Sequence, residues 1–328
     1  MINALATHFP HYVIYQTDDF NIVVVASRRA TLDMLSPTIF AAPALKQELA
    51  RVGIRNLDDL RMHRIASQAT LEAFFASFNA PTNSDFRPFV DQHAAKARFM
   101  NSTAQAVVGL ATAPLPVLEM LDPARGAPPL ALNAQAAITR VKRWQETQAA
   151  YALLLGQQAV APGDASLRAA VVVLNASHQQ CEGELLARSW EAAAFRVAVE
   201  LLPELRAEHS AQLWARLGAS ACARTASPRT QRWLALYAAV GQRHGAAMLR
   251  DARALLADGK DSADQERFGY LVASAMLGAL GVGEPQAALE VWSAFGAKRW
   301  RADTVNVHLR LLLASAVFRA KAVPDIAH

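Results

Sequence analysis

The sequence predicts a mainly α-helical chain that opens on a β-hairpin of α/β-sheet character and continues as an α-helical repeat. Three observations lead there. The stretch FPHYVIYQTDDFNIVVVAS, Phe9 to Ser27, is β-branched and aromatic on either side of a polar turn. Pro114, Pro116, Pro123, Pro128 and Pro129 with Gly126 then interrupt the chain at a density that no regular element tolerates. Beyond them Ala-, Leu- and Arg-rich helical segments follow one another to about Lys321, and all six tryptophans lie there.

Within the hairpin, strands are expected from His11 to Gln16 and from Asn21 to Ala26, with Thr17-Asp18-Asp19 as the turn. The run IVVVA is apolar at successive positions without alternation, the pattern of a strand buried on both faces. Helices are expected next at Ala44–Val52, at Leu57–Ser67 with Asn56 as cap, and at Thr70–Phe78. Pro81 and Pro88 break the segment from Ala80 to Asp91 into a loop that enters a short extended piece. The organisation read from these signals is residues 1–98 as the end of an α/β domain, 99–130 as a Pro-rich linker and 131–328 as a helical-repeat domain.

Two segments of the helical part resemble each other. Leu236–Asp258 runs helix, small-residue break, helix, and Ser274–Gly296 repeats the arrangement roughly forty residues on. Helix pairs at such a period stack into a solenoid, because one pair cannot cover its own apolar stripe. GEPQAALEVW, with alanines at the crossing positions, is similar to a tetratricopeptide-type repeat, and the expected role is to bind a partner protein or another part of a parent chain. Leu289 and Trp292 are expected inside the last pair, and Arg299 and Arg301 at its surface.

Composition bounds the function. With 328 residues, 53% hydrophobic and 19% charged, the chain can bury a sizeable core. Its formal charge of +5 is spread thinly, which permits nucleic acid without implying it. Only Cys181 and Cys222 are present, too few for a disulfide framework and in keeping with a reducing compartment. MINALATHFPH lacks the features of an export signal, and the uncharged run Phe268–Gly283 falls short of the ~20 residues a spanning helix needs. The expectation is a cytoplasmic chain without a membrane span, or the cytoplasmic part of a membrane-associated parent.

Taken in order, FPHYVIYQTDDFNIVVVAS, LKQELARVGIRNLDDL and APTNSDFRPFVD resemble the tail of the spermidine-synthase-like domain of fused transporter and spermidine synthase proteins. That family closes its Rossmann-like, methyltransferase-type sheet with a hairpin that starts at Phe-Pro-His. A helix ending in an ARVGI-like stretch follows, and then an Asn-Thr-Asp-Asp-Arg-Pro loop. Asn83, Asp85, Arg87 and Pro88 match the loop, while Ser84 and Phe86 depart from it. The likeness covers about the first ninety residues. It implies aminopropyl transfer from decarboxylated S-adenosylmethionine to an amine, chemistry that needs a glycine-rich turn and carboxylates which the family places upstream of the hairpin. The chain is therefore expected to hold no catalytic and no cofactor-binding residue of its own. Asn83, Asp85 and Arg87 are the candidate ligand contacts, against a bland reading of the same loop as a clasp of local hydrogen bonds.

Other constellations have plain readings. Gly278, Gly281 and Gly283 form a G-x-x-G-x-G preceded by a helix, where a dinucleotide loop follows a strand, so a turn between repeat helices fits better. His178, Cys181 and Glu182 share one face if helical, yet no partner cluster completes a metal set, and no metal is expected. VKRWQ, QRW and AKRWRAD pair Arg or Lys with Trp on separate helices without a nucleic-acid motif, and no nucleic-acid partner is expected. Asp18 and Asp19 are explained by the turn, and no Ser-His-Asp, Cys-His or P-loop pattern occurs.

Overall fold

The computed structural model describes residues 2–29, 36–79, 88, 92, 96, 105–122, 125–132, 138–302 and 304–322. The elements run α1 (Ile2–His8), β1 (His11–Gln16), β2 (Ile22–Ser27), α2 (Pro43–Arg51), α3 (Leu57–His63), β3 (Arg64–Ser67), α4 (Gln68–Ala76), α5 (Gln105–Val108) and α6 (Val117–Leu121). There follow α7 (Thr139–Leu154), α8 (Ala165–Ala176), α9 (Glu184–Leu201), α10 (Ala207–Gly218), α11 (Ala221–Thr225), α12 (Pro228–Gly241), α13 (Gly245–Asp258), α14 (Gln265–Gly281), α15 (Pro285–Val291) and α16 (Val307–Ala322). The chain is mainly helical with one small antiparallel sheet. It divides into two compact units, one of residues 1–112, 121–141 and 301–328, the other of 113–120 and 142–300. The last helix, read from sequence with the helical domain, thus falls in the unit that holds the sheet.

That sheet has the order β2-β1-β3. The hairpin forms where its chemistry places it: Asp18 Oδ1 accepts from the backbone N–H of Phe20 and of Asn21 at 2.8 and 2.9 Å, which folds the turn. Across it Tyr12 faces Ala26 and Ile14 faces Val24. Tyr12 and Ile14 are buried with Met62, Ile65, Ala66, Leu71 and Phe74, and these make the core of this unit.

Two expectations fail here. Residues 64–67 were read as the end of a helix but form β3, paired antiparallel to β1. The helix starts as read, on a capping box in which the Asn56 side chain accepts from the Asp59 N–H and the Asp59 carboxylate accepts from the Asn56 N–H. It stops at Arg64 because β1 offers Ile65 and Ala66 a ladder and a core, a non-local gain that outweighs local propensity. The apolar run of β2 is not buried on both faces: Val23 and Val25 are 47% and 45% exposed. The helix expected at Thr70–Phe78 spans Gln68–Ala76. Its last turn is held by Arg310 on α16, whose guanidinium donates to the Ser77 carbonyl at 3.0 Å and lies 3.6 Å from the Phe78 ring centroid.

The other unit has helices and connecting turns and no strand among its described residues. Several of its helices begin on side-chain caps: Asp164 accepts from the Leu167 N–H, Ser227 from the Thr230 N–H, and Asp264 from the Glu266 and Arg267 N–H groups. An aromatic cluster of Phe195, Trp214, Trp233, Tyr237 and Tyr270 fills the centre. The Arg267 guanidinium lies over Phe195 and Trp233, 5.2 and 5.8 Å from their centroids.

The two similar segments are built alike. α12 and α13 join through Gln242–His244, and α14 and α15 through Val282–Glu284. In each turn the middle residue is left-handed, Arg243 with φ 57° and Gly283 with φ 78°. The following N–H reaches back five residues, from His244 to the Ala239 carbonyl and from Glu284 to the Ala279 carbonyl, both at 2.9 Å. Arg243 bears the left-handed conformation without glycine's freedom. Its side chain is fixed by Glu119 at 2.6 Å and by the Leu205 carbonyl at 2.8 Å. As expected, Trp292 is buried, Leu289 is half-buried, and Arg299 and Arg301 are exposed.

Between the pairs α13 crosses α14 backbone to backbone. A Cβ on Gly278 would stand 2.6 Å from the Gly245 carbonyl oxygen and 2.7 Å from the Leu249 nitrogen. Gly278→Ala therefore forces the helices apart, and its expected cost is about 2 kcal/mol, in the range of overpacked cores, read as a lower urea midpoint with unchanged helical signal. Two histidines of the sheet unit supply a second expectation. Burial pushes His63 below its ordinary range, and its Nδ1 donates to the Gln16 carbonyl at 2.7 Å. Burial pushes His308 to about 4. Both bind protons less readily folded than unfolded, so stability is present above the unfolded value of about 6.5 and is lost as pH falls below it. Urea midpoints at pH 7 and pH 5 test this, and His308→Gln is expected to shrink the difference.

Candidate functional site

A sheet has two edges, and the backbone groups on each must find partners. The register shows which groups face outward. The Thr17 N–H donates to the Asn21 carbonyl at 3.1 Å, one pair beyond Gln16 and Ile22. Hydrogen-bonded and non-hydrogen-bonded pairs alternate in an antiparallel ladder, so Tyr15/Val23 and Val13/Val25 exchange hydrogen bonds across the hairpin. Ile22, Val24 and Ala26 therefore aim their N–H and C=O groups away from β1. On the other side of β1, Ile14 faces Ala66, and the outward groups of β3 belong to Ile65 and Ser67.

The outer edge of β3 is closed by side chains from the segment before α7 and from α7 itself. The buried Asp122 carboxylate accepts from the Ser67 N–H at 2.8 Å and pairs with Arg64 at 3.4 Å. The Arg125 guanidinium donates to the Ile65 carbonyl, and Arg140 donates to the Met62 and Arg64 carbonyls at 2.8 and 3.1 Å. Asp19 accepts from the Thr139 N–H and hydroxyl at 2.9 and 2.7 Å, which ties the hairpin turn to the start of α7. These contacts satisfy the outward groups of β3 that a fourth strand would otherwise take.

The outer edge of β2 is different. Among the described residues nothing bonds to the outward groups of Ile22, Val24 and Ala26. The strand presents Val23 and Val25 on its exposed face, with Phe20, 58% exposed, at the turn. Asp18 and Asp19 stand at one end of it and Arg28 and Arg29 at the other, Arg28 lying 5.6 Å from the Phe9 ring centroid. A free, apolar, β-branched edge of this kind accepts a further strand. It is the site the geometry offers.

The residues proposed from sequence are not gathered there. Asn83, Asp85 and Arg87 lie outside the described residues. His178, Cys181 and Glu182 are not on a helix: they lie in the loop from α8 to α9. Cys181 is bonded to Cys222, a pairing that the count of two cysteines did not reveal, because the fold brings this loop beside α11 across 41 residues of chain. No group of His, Cys, Asp or Glu able to hold a metal occurs among the described residues. Of the three glycines read as a turn between helices, Gly283 is in the turn after α14, while Gly278 and Gly281 are inside that helix. Trp144 and Trp233 are core residues, and Arg299 lies over Phe268 at 4.3 Å, so the Arg–Trp stretches serve packing. None of the described helices is long and apolar enough to cross a membrane.

No protein-family model, curated protein or solved structure matches the chain. The asymmetry of the two edges carries an expectation of its own. Asp122→Ala removes the cap of β3 and takes from the Ser67 N–H its acceptor, at a cost of about 1–3 kcal/mol. Amide exchange at Ser67 is expected to quicken, while Asp58→Ala, at an exposed position of α3, leaves it unchanged.

Proposed function

We propose that the chain is the C-terminal portion of a spermidine-synthase-like aminopropyltransferase of the fused transporter type, catalytically incomplete by itself. In this reading β1 and β2 are the closing hairpin of a Rossmann-like sheet whose other strands lie elsewhere. The observation that carries it is β2: its sequence is that of a strand covered on both faces, yet one face and one edge stand open. Decarboxylated S-adenosylmethionine and the acceptor amine would be held by those other strands, with Asn83, Asp85 and Arg87 as the contacts this chain contributes. α12–α15 would form a tetratricopeptide-like repeat, and the location would be cytoplasmic, where a bridge such as Cys181–Cys222 is an exception.

A second reading is a non-enzymatic helical-repeat scaffold for a partner protein. The equal turns at Arg243 and Gly283 favour it, since repeated units that stack are the usual basis of extended binding surfaces. The two readings part in one assay. Incubated with putrescine and decarboxylated S-adenosylmethionine, the chain is expected to yield no spermidine by mass spectrometry, and appreciable turnover overturns the claim of incompleteness.

A further inference from the structure

The open β2 edge can pair antiparallel with a second copy of itself, and its two ends carry opposite charges. Antiparallel pairing of β2 with a second β2 about Val24 sets Ile22 against the partner's Ala26, and Val24 against the partner's Val24. These are the residues whose N–H and C=O groups point outward, so every hydrogen-bonded pair of the new ladder falls on free groups. The residues between them, Val23 and Val25, oppose the partner's Val25 and the partner's Val23 on the exposed face, where 47% and 45% of their surfaces are open. Beyond the strand ends, the turn before each β2, with Asp18 and Asp19, lies toward the partner's Arg28 and the partner's Arg29, so the acidic end of each strand meets the basic end of the other.

Shifting the register by one residue would place inward-pointing groups on the interface, and shifting it by two would leave one outward residue unpaired at each end of the strand. The centred register is the one that uses the whole edge. We infer that the chain on its own forms a two-fold symmetric dimer through β2, joining two three-stranded sheets into one continuous antiparallel sheet. This goes beyond the preceding reading and needs no aminopropyltransferase ancestry. Strands supplied from elsewhere would compete for the same edge.

The full chain is measured by light scattering after size exclusion and by sedimentation across a concentration series. The wild type is expected to be dimeric. Val23→Lys with Val25→Lys sets like charges directly opposite one another and is expected to weaken the dimer by tenfold or more, on the order of a single unfavourable interface contact. Val23→Glu with Val25→Glu does the same, and mixing the two variants is expected to restore a dimer of one chain of each kind. Because the altered side chains are exposed and lie on the face away from Tyr12 and Ile14, unchanged circular dichroism shows that loss of the dimer is not loss of the fold. A wild type that stays monomeric at about 100 μM, far above a micromolar Kd, overturns the inference. So does a dimer that survives the lysine pair, or a mixture that fails to reassociate, and none of these results bears on the spermidine assay.

Discussion

The sheet of this protein is governed by one constraint, that backbone N–H and C=O groups at a strand edge cannot be left unpaired without cost. At β3 the constraint is met inside the chain by Asp122 and Arg125, whose side chains take the Ser67 N–H and the Ile65 carbonyl, with Arg140 on the Met62 and Arg64 carbonyls beside them. The same contacts fix where α7 starts, since Thr139 at its first turn is bonded to Asp19 in the hairpin. At β2 no described side chain plays this part. The two edges of one sheet are thus unlike: β3 is closed from within and β2 is left open among the described residues.

How much of this could be read beforehand depended on the range of the forces involved. β1 and the turn after it are local: β-branched residues, then Asp18 bonding the N–H of Phe20 and of Asn21. The Asn56–Asp59 capping box is equally local. β3 was not legible, because Arg64–Ser67 become a strand only through β1, some fifty positions earlier in the chain. The closure of its edge depends on Asp122 and Arg140, which carry no sequence pattern that would mark them. IVVVA was misread in a more instructive way: its composition describes the burial such a strand is suited to, whereas the structure reports the burial it has.

The helical unit is the converse case. The equivalence of its two helix pairs was visible in small residues at matching places, and the structure adds that the turns match hydrogen bond for hydrogen bond. Arg243 shows what the letters concealed. A charged residue stands where the related turn has Gly283, and the contacts to Glu119 and to the Leu205 carbonyl offset the unfavourable backbone conformation. The bridge from Cys181 to Cys222 was hidden for a similar reason, since two cysteines 41 residues apart state nothing about their distance in space.

The order in which a ribosome releases the chain meets the two units unequally. The sheet unit draws on residues at both ends of the sequence, and Arg310 on α16 holds the end of α4 only after nearly all of the chain has been made. The helical unit lies almost wholly between those parts, so its residues 142–300 emerge together while the sheet unit still lacks its final helix. Translation at about 5–20 residues per second leaves the hairpin and α4 waiting for about ten seconds or more before α16 can hold the end of α4. Nascent chains on one message stand close together, so the apolar edge of β2 is presented to its neighbours before the sheet unit is complete.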